Sequence, residues 1–164
     1  QAKNEWVFVL DSDEIITEPL KAEILKTLEN PLFKAYKVPR LNYFFGKEIR
    51  RMGLYPDYST RFFDRRFARF DGRVVHEKVL CDSDIGVFKE HFIHYAYESL
   101  EQFYNKQKRY ACLNHRPNTL KSLLNPLWSF FKLYFLKGGF LEGKRGFNIA
   151  LGYAKYTFWK YKKD

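Results

Sequence analysis

The sequence predicts an α/β fold in two parts: a mixed sheet over residues 1–98, then a basic, aromatic helical tail over residues 99–164. Three observations carry that prediction. The run Trp6-Val7-Phe8-Val9-Leu10 is apolar throughout and ends in Asp11, Asp13 and Glu14. That is the pattern of a strand buried on both faces, as in a parallel sheet. Further runs rich in aromatic and β-branched residues follow, divided by turn-forming residues. After Ser99 the apolar spacing becomes helical. An apolar share of 46% over 164 residues suffices for a core.

The elements follow in order. Gln1 to Glu5 reads as the end of a helix feeding the strand Trp6 to Leu10. Side chains alternate along a strand, so Asp11 and Asp13 are expected to point the same way at its C-terminal end, where open α/β sheets bind ligands. Two convergent carboxylates there suit a hard divalent cation, which can hold a diphosphate. The same acids also suit a loop leading into a helix. Thr17 is a good N-cap and Pro19 fits the first turn of a helix from Pro19 to Asn30, with Leu20, Ile24, Leu25 and Leu28 on one face. Phe33 to Val38 and Arg40 to Phe45 read as two strands, and Arg50 to Tyr58 as a loop able to pass over a cleft. Ser59 to Arg65 is another strand, followed by Phe67 to Phe70, a turn at Asp71-Gly72, and Arg73 to Leu80. Asp82-Ser83-Asp84 repeats the acidic spacing without a preceding strand and reads as a turn. Gly86 to Tyr97 is a strand carrying His91 and His94. Ser99 caps a helix from Leu100 to His115, Arg116-Pro117-Asn118 breaks it, and a second helix runs from Thr119 to about Leu136. Gly138-Gly139 ends that one. Leu141 to Lys163 forms a third, with Phe147, Leu151, Ala154, Phe158 and Tyr161 along one seam.

Charge is uneven. Residues 1–99 carry 16 basic and 16 acidic side chains, whereas residues 100–164 carry 13 and 3, so the whole net charge of +10 lies in the tail. Basic side chains interleaved with aromatics suit an anionic membrane surface or a nucleic acid. No RNA-binding fingerprint is present, and nucleic acid is not the expected partner. No apolar run is long enough to span a bilayer. Cys81 and Cys112 lack metal-site spacing and read as reduced thiols of a cytosolic protein. The chain begins at Gln1 without a methionine and is read as a piece of a longer protein.

The run "WVFVLDSDEIITEPL" resembles the central motif of family 2 glycosyltransferases of the GT-A fold, in the branch that elongates lipopolysaccharide core and related surface glycans. "RFFDRRFARFDGRVVHEKV", "HFIHYAYESLEQFYNKQKRYA" and "FLKGGFLEGKRGFNIALGYAKYTFWKY" fit the same branch in the same order. The resemblance implies a truncated GT-A, Rossmann-like sheet, the acceptor-side portion only, lacking the nucleotide-binding βαβ units that precede the acidic motif. It implies an inverting transfer of a sugar from a nucleotide-sugar to a lipid-linked glycan, at the inner face of the cytoplasmic membrane. Asp13 and Asp11 would hold the donor through Mn²⁺ or Mg²⁺, with His94 (or His91) as a further metal ligand. The "VHE" element makes Glu77 the candidate general base, with His76 as the alternative. Neighbouring strand residues face opposite ways, so one of the two is expected to reach the cleft. By itself the chain is expected not to catalyse transfer.

Two other readings compete. "VFVLDSDEI" also resembles the nucleophile strand of haloacid-dehalogenase phosphatases, although that family has Thr or Val where this chain has Ile15. A non-enzymatic RNA- or membrane-binding module would explain the tail but leaves the acids at the strand end without a role.

Overall fold

A computed structural model describes residues 3–72 and 78–163. It is a mixed α/β fold, and its chain divides into two compact units, residues 1–41 with 56–94, and residues 42–55 with 95–164.

The first unit is built on the sheet. Its strands are β1 (Trp6–Phe8), β2 (Glu14–Ile16), β3 (Ala35–Phe44), β5 (Asp57–Asp64), β8 (Ile85–Val87) and β9 (Phe92–Tyr97), in the order β1-β5-β3-β9-β2 with β8 against β3; β4 (Lys47–Ile49) belongs to the second unit. The pairing is mixed: β8 runs parallel to β3, while β1 and β3 pair with β5, and β2 with β9, antiparallel. A separate ribbon joins β6 (Ala68–Phe70) to β7 (Val79–Cys81).

Several boundaries differ from expectation. The first strand ends at Phe8, is half-buried, lies at an end of the sheet and pairs antiparallel, so it is not a doubly buried parallel strand. Residues 3–5, just before it, are not helical. The two strands expected on either side of Pro39 are one, because Pro39 sits fully buried within β3, where its missing N–H removes only one ladder bond. Conversely, the strand expected from Gly86 to Tyr97 is two, β8 and β9, with a break between them.

Helix α1 (Glu18–Glu29) starts where its caps dictate. The Thr17 hydroxyl accepts from the Leu20 N–H at 3.3 Å and donates to the His91 carbonyl at 2.7 Å. Leu20 is fully buried and Ile24 packs beside it, but Leu25 is 57% exposed and Leu28 38%, so only half of the expected apolar face is covered. The core is aromatic: Tyr36, Phe62, Phe88 and Phe92 are buried with Trp6 and Phe8 against them, and Tyr36 stacks on Phe88 at 4.7 Å.

The second unit opens with a hairpin. Phe45 and Gly46 both take positive φ (55° and 76°), the two-residue turn whose twist matches the strands it joins, and they connect β3 to β4. Ser99 caps α2 (Leu100–Leu113) by accepting from the Gln102 N–H at 3.1 Å, and the Gln102 side chain accepts from the Glu98 N–H at 2.7 Å. Asn118 caps α3 (Thr119–Phe131), which widens into a π-helical turn, Lys132–Leu136, before the chain reverses at Gly138. A 3₁₀ turn, Gly139–Glu142, leads into α4 (Gly143–Tyr161), which packs against α2 and α3.

Phe103 of α2 is the centre of this unit, fully buried against Phe44, Phe45, Tyr97, Tyr104 and Tyr153. Helix α4 meets it through Gly152, where a Cβ would collide with the Phe103 ring. The buried face of α4 is therefore one of small residues and one large one: Gly146, Ile149, Ala150, Gly152 and Ala154. The seam expected from the sequence is displaced from it, since Phe147 and Phe158 stay exposed. Gly152→Ala is expected to lower stability by about 1–3 kcal/mol through overpacking, read as a lower midpoint of thermal unfolding.

Candidate active site

Asp11 and Asp13 lie in the turn between β1 and β2, not on a strand, so alternation does not orient them. Local bonds shape the turn. The Glu14 N–H donates to the Asp11 carbonyl at 3.1 Å, and the Asp11 N–H donates to Glu14 Oε2 at 3.0 Å. Arg61, from the middle of β5, closes it: Nη2 donates to Glu14 Oε1 at 2.8 Å and to Asp11 Oδ2 at 3.0 Å. The guanidinium also lies over the Phe92 ring, 5.5 Å from its centre.

The three acids consequently have different environments. The Glu14 side chain is fully buried, Asp11 is 61% exposed and Asp13 48%. Burial pushes the Glu14 carboxyl above its ordinary value, against the opposing pull of the Asp11 N–H and of Arg61. Asp13 turns to the other histidine-bearing strand: its Oδ2 lies 3.4 Å from His94 Nε2. The register explains the meeting, because Glu14 is paired directly with His94 across β2 and β9. His91 lies just before β9, where its carbonyl is held by Thr17.

Asp11 and Arg61 also line a cleft of about 870 Å³ whose walls include Lys37, Arg40, Asp57 and Lys78. Arg40 is ion-paired with Asp57. The cleft thus has more cationic than anionic groups and suits an anionic or polyhydroxylated ligand. His76 and Glu77 lie outside the described residues.

Among the described residues no three His, Cys, Asp or Glu side chains converge on a possible metal position. Asp13 and His94 make a two-donor pair. Such a pair fits Mg²⁺ or Mn²⁺ when the phosphates of a substrate supply much of the remaining shell. Asp11 fits poorly as a direct ligand, because a second cation would sit against Arg61. Glu14 and Arg61 were not singled out by the sequence. Arg61 opens the stretch RFFDRRFARFDGRVVHEKV, but nothing local marks it as a partner of acids fifty residues away.

No family model and no solved structure matches the chain. Among curated proteins it is similar to an uncharacterized glycosyltransferase of Rickettsia prowazekii, 25% identical over 93% of this chain and 60% of that protein. It is similar to another uncharacterized glycosyltransferase, of Rickettsia conorii, 27% identical over 93% of this chain and 62% of that protein. It is also similar to the lipopolysaccharide core biosynthesis glycosyltransferase LpsC of Rhizobium meliloti, 25% identical over 96% of this chain and 63% of that protein. The chain spans about three fifths of the length of these curated relatives.

The clamp makes a stability prediction. Glu14→Ala leaves the largely buried Arg61 guanidinium with the exposed Asp11 as its remaining carboxylate among the described residues and should cost about 3 kcal/mol in urea unfolding. Glu14→Gln keeps an acceptor for the Asp11 N–H and should cost less. Because the folded-state pKa of Glu14 is raised, the folded chain holds that proton more tightly than the unfolded one. Its contribution is therefore complete below the ordinary glutamate pKa of about 4.3 and declines as pH rises through the raised value. Glu14→Gln should remove that slope.

Proposed function

We propose that this chain is the acceptor-side part of a metal-dependent, inverting glycosyltransferase of family 2 and the GT-A type, which moves a sugar from a nucleotide-sugar to a lipid-linked glycan of the lipopolysaccharide core type. It works at the inner face of the cytoplasmic membrane, attached peripherally. The observation that carries the reading is the approach of the Asp13 carboxylate to the His94 imidazole, two residues along from Asp11 on the wall of a cationic cleft. Similarity to curated glycosyltransferases, one of them named for lipopolysaccharide core biosynthesis, supports it.

Asp13 and His94 would hold the divalent cation, which when bound would supply positive charge beside the diphosphate leaving group. Asp11, which shares Arg61 with Glu14, would contact the donor ribose or the cation's water shell rather than the cation itself. The acceptor hydroxyl lies in the cleft and attacks the anomeric carbon. A bond forms from its oxygen to that carbon as the bond to the diphosphate oxygen breaks, with inversion, and the hydroxyl proton passes to Glu77, or to His76 if that residue reaches the cleft. The phosphatase alternative needs Asp11 as an unencumbered nucleophile, and the Arg61 clamp gives it less support.

The test uses a full-length protein carrying this chain. Asp13→Asn should abolish Mn²⁺- or Mg²⁺-dependent transfer and weaken Mn²⁺ binding measured by electron paramagnetic resonance with nucleotide-sugar present, while circular dichroism stays unchanged. Normal turnover in that variant would remove Asp13 from the mechanism. Glu77→Gln should lower kcat by about two to four orders of magnitude with donor affinity nearly unchanged. If His76→Ala gives that pattern instead, the two roles exchange.

A further inference from the structure

We propose that the second unit contains a binding site for the phosphate headgroup of an anionic bilayer lipid, flanked by an apolar tip that enters the membrane interface. The site is a cleft of about 510 Å³ whose walls include Lys47, Glu48, Arg50, Arg51, Glu142 and Arg145. Four cations face two carboxylates, and both carboxylates are engaged: Glu48 accepts from Arg50 Nε at 2.8 Å, and Glu142 from Arg145 Nη2 at 2.6 Å. The cleft keeps a net positive charge.

Arg145 supplies the second observation. Its Nε and Nη1 are buried and have no hydrogen-bond partner among the described residues. Orphaned donors of this kind are expensive, and on a guanidinium more so. A phosphate in the cleft offers the Arg145 guanidinium the acceptors that Glu142, bonded through Nη2 alone, does not supply.

The loop carrying the other two arginines is fixed in place. Met52 has φ of 63°, a region a side chain of its size seldom adopts, yet it is buried. Strain of this kind persists where surrounding structure enforces it. Here the Met52 N–H donates to the Lys137 carbonyl at 3.0 Å, and the Leu54 N–H to the Arg51 carbonyl at 3.1 Å. Arg50 and Arg51 are thereby held exposed at the cleft.

The apolar tip adjoins them. The loop's partner Lys137 is followed by the reversal at Gly138, where a Cβ would lie 3.8 Å from Arg51 Cδ. Around that reversal Leu136 is 61% exposed, Phe140 50% and Leu141 57%. Large apolar side chains next to arginines suit a bilayer interface, where the former enter the acyl boundary and the latter reach the phosphates. The net charge of +10 carried by residues 100–164 is complementary to an anionic surface. No helix among the described residues is long and apolar enough to cross a membrane, so the contact is a surface one.

This inference rests on the peripheral location in the proposed function, but its test needs neither donor nor acceptor, so either can fail alone. The purified chain is co-sedimented with phosphatidylcholine vesicles and with vesicles that also contain phosphatidylglycerol. Binding should require the anionic lipid. Arg51→Gln should lower partitioning about fivefold, the effect of one basic residue near a charged surface. Arg145→Lys retains the charge but loses the guanidinium's several donors and should lose binding to a similar degree, with circular dichroism confirming the fold. Leu141→Ser should weaken binding as well. Unchanged binding by Arg145→Lys and Arg51→Lys would reduce the attraction to diffuse charge and overturn the site. So would equal binding to neutral vesicles, or saturable binding of inorganic phosphate without vesicle binding, which would make the cleft a site for a soluble anion.

Discussion

The acidic turn between β1 and β2 depends on the Arg61 guanidinium, which reaches from β5 to both Asp11 and Glu14. Three carboxylates within four residues repel one another, and one of them, Glu14, is wholly buried. A buried carboxylate with no cation beside it would be strongly destabilising. With Arg61 in place the turn closes on itself through the reciprocal bonds of Asp11 and Glu14. The division of labour among the acids follows. Glu14 is structural, Asp11 shares Arg61 at the wall of a cleft, and Asp13 is the carboxylate left facing a histidine. Most of the clamp's energy lies in the buried arm, because the exposed pair of Arg61 with Asp11 contributes about 1 kcal/mol or less.

Local signals were legible and distant pairings were not. The caps at Thr17 and Ser99 set the starts of α1 and α2 because a side-chain oxygen and an amide three residues on are all that the interaction needs. The mixed α/β class was legible for the same reason: periodicity is local. The orientation of Asp11 and Asp13 was not, because alternation holds only while the chain is extended, and the strand stops at Phe8. Pro39 misled in the opposite direction. It normally interrupts a strand, but here the sheet absorbs the missing donor and the strand continues. The pairing of Glu14 with His94, which brings Asp13 to an imidazole, joins residues eighty apart and leaves no trace in either local pattern. In α1, Leu25 and Leu28 show that a helical apolar stripe specifies a face without specifying what covers it.

In the second unit small residues, not large ones, decide the packing. Gly152 admits the Phe103 ring, and Gly146 allows the backbone at Gly139 to come close, so α4 buries its least bulky face. A seam drawn through the largest apolar residues therefore falls at the margin of the buried face. Leu151, Ala154 and Phe158 line one side of an open apolar groove, opposite Leu123, Pro126, Leu127 and Phe130.

That packing has a consequence for the surface. Once α4 uses glycine and alanine for close contact, the aromatic and leucine side chains of α3 and α4 are left at the periphery, and Leu123, Leu127, Trp128 and Phe131 are all exposed. A surface this apolar on a monomer would favour association or precipitation unless charge opposed it. The lysines and arginines of residues 100–164 supply that opposition, and they are all but unbalanced by acids. The same combination that would keep such a surface apart from copies of itself, like charge around apolar patches, is the one that the proposed contact with anionic lipid would use, and salt screens both effects.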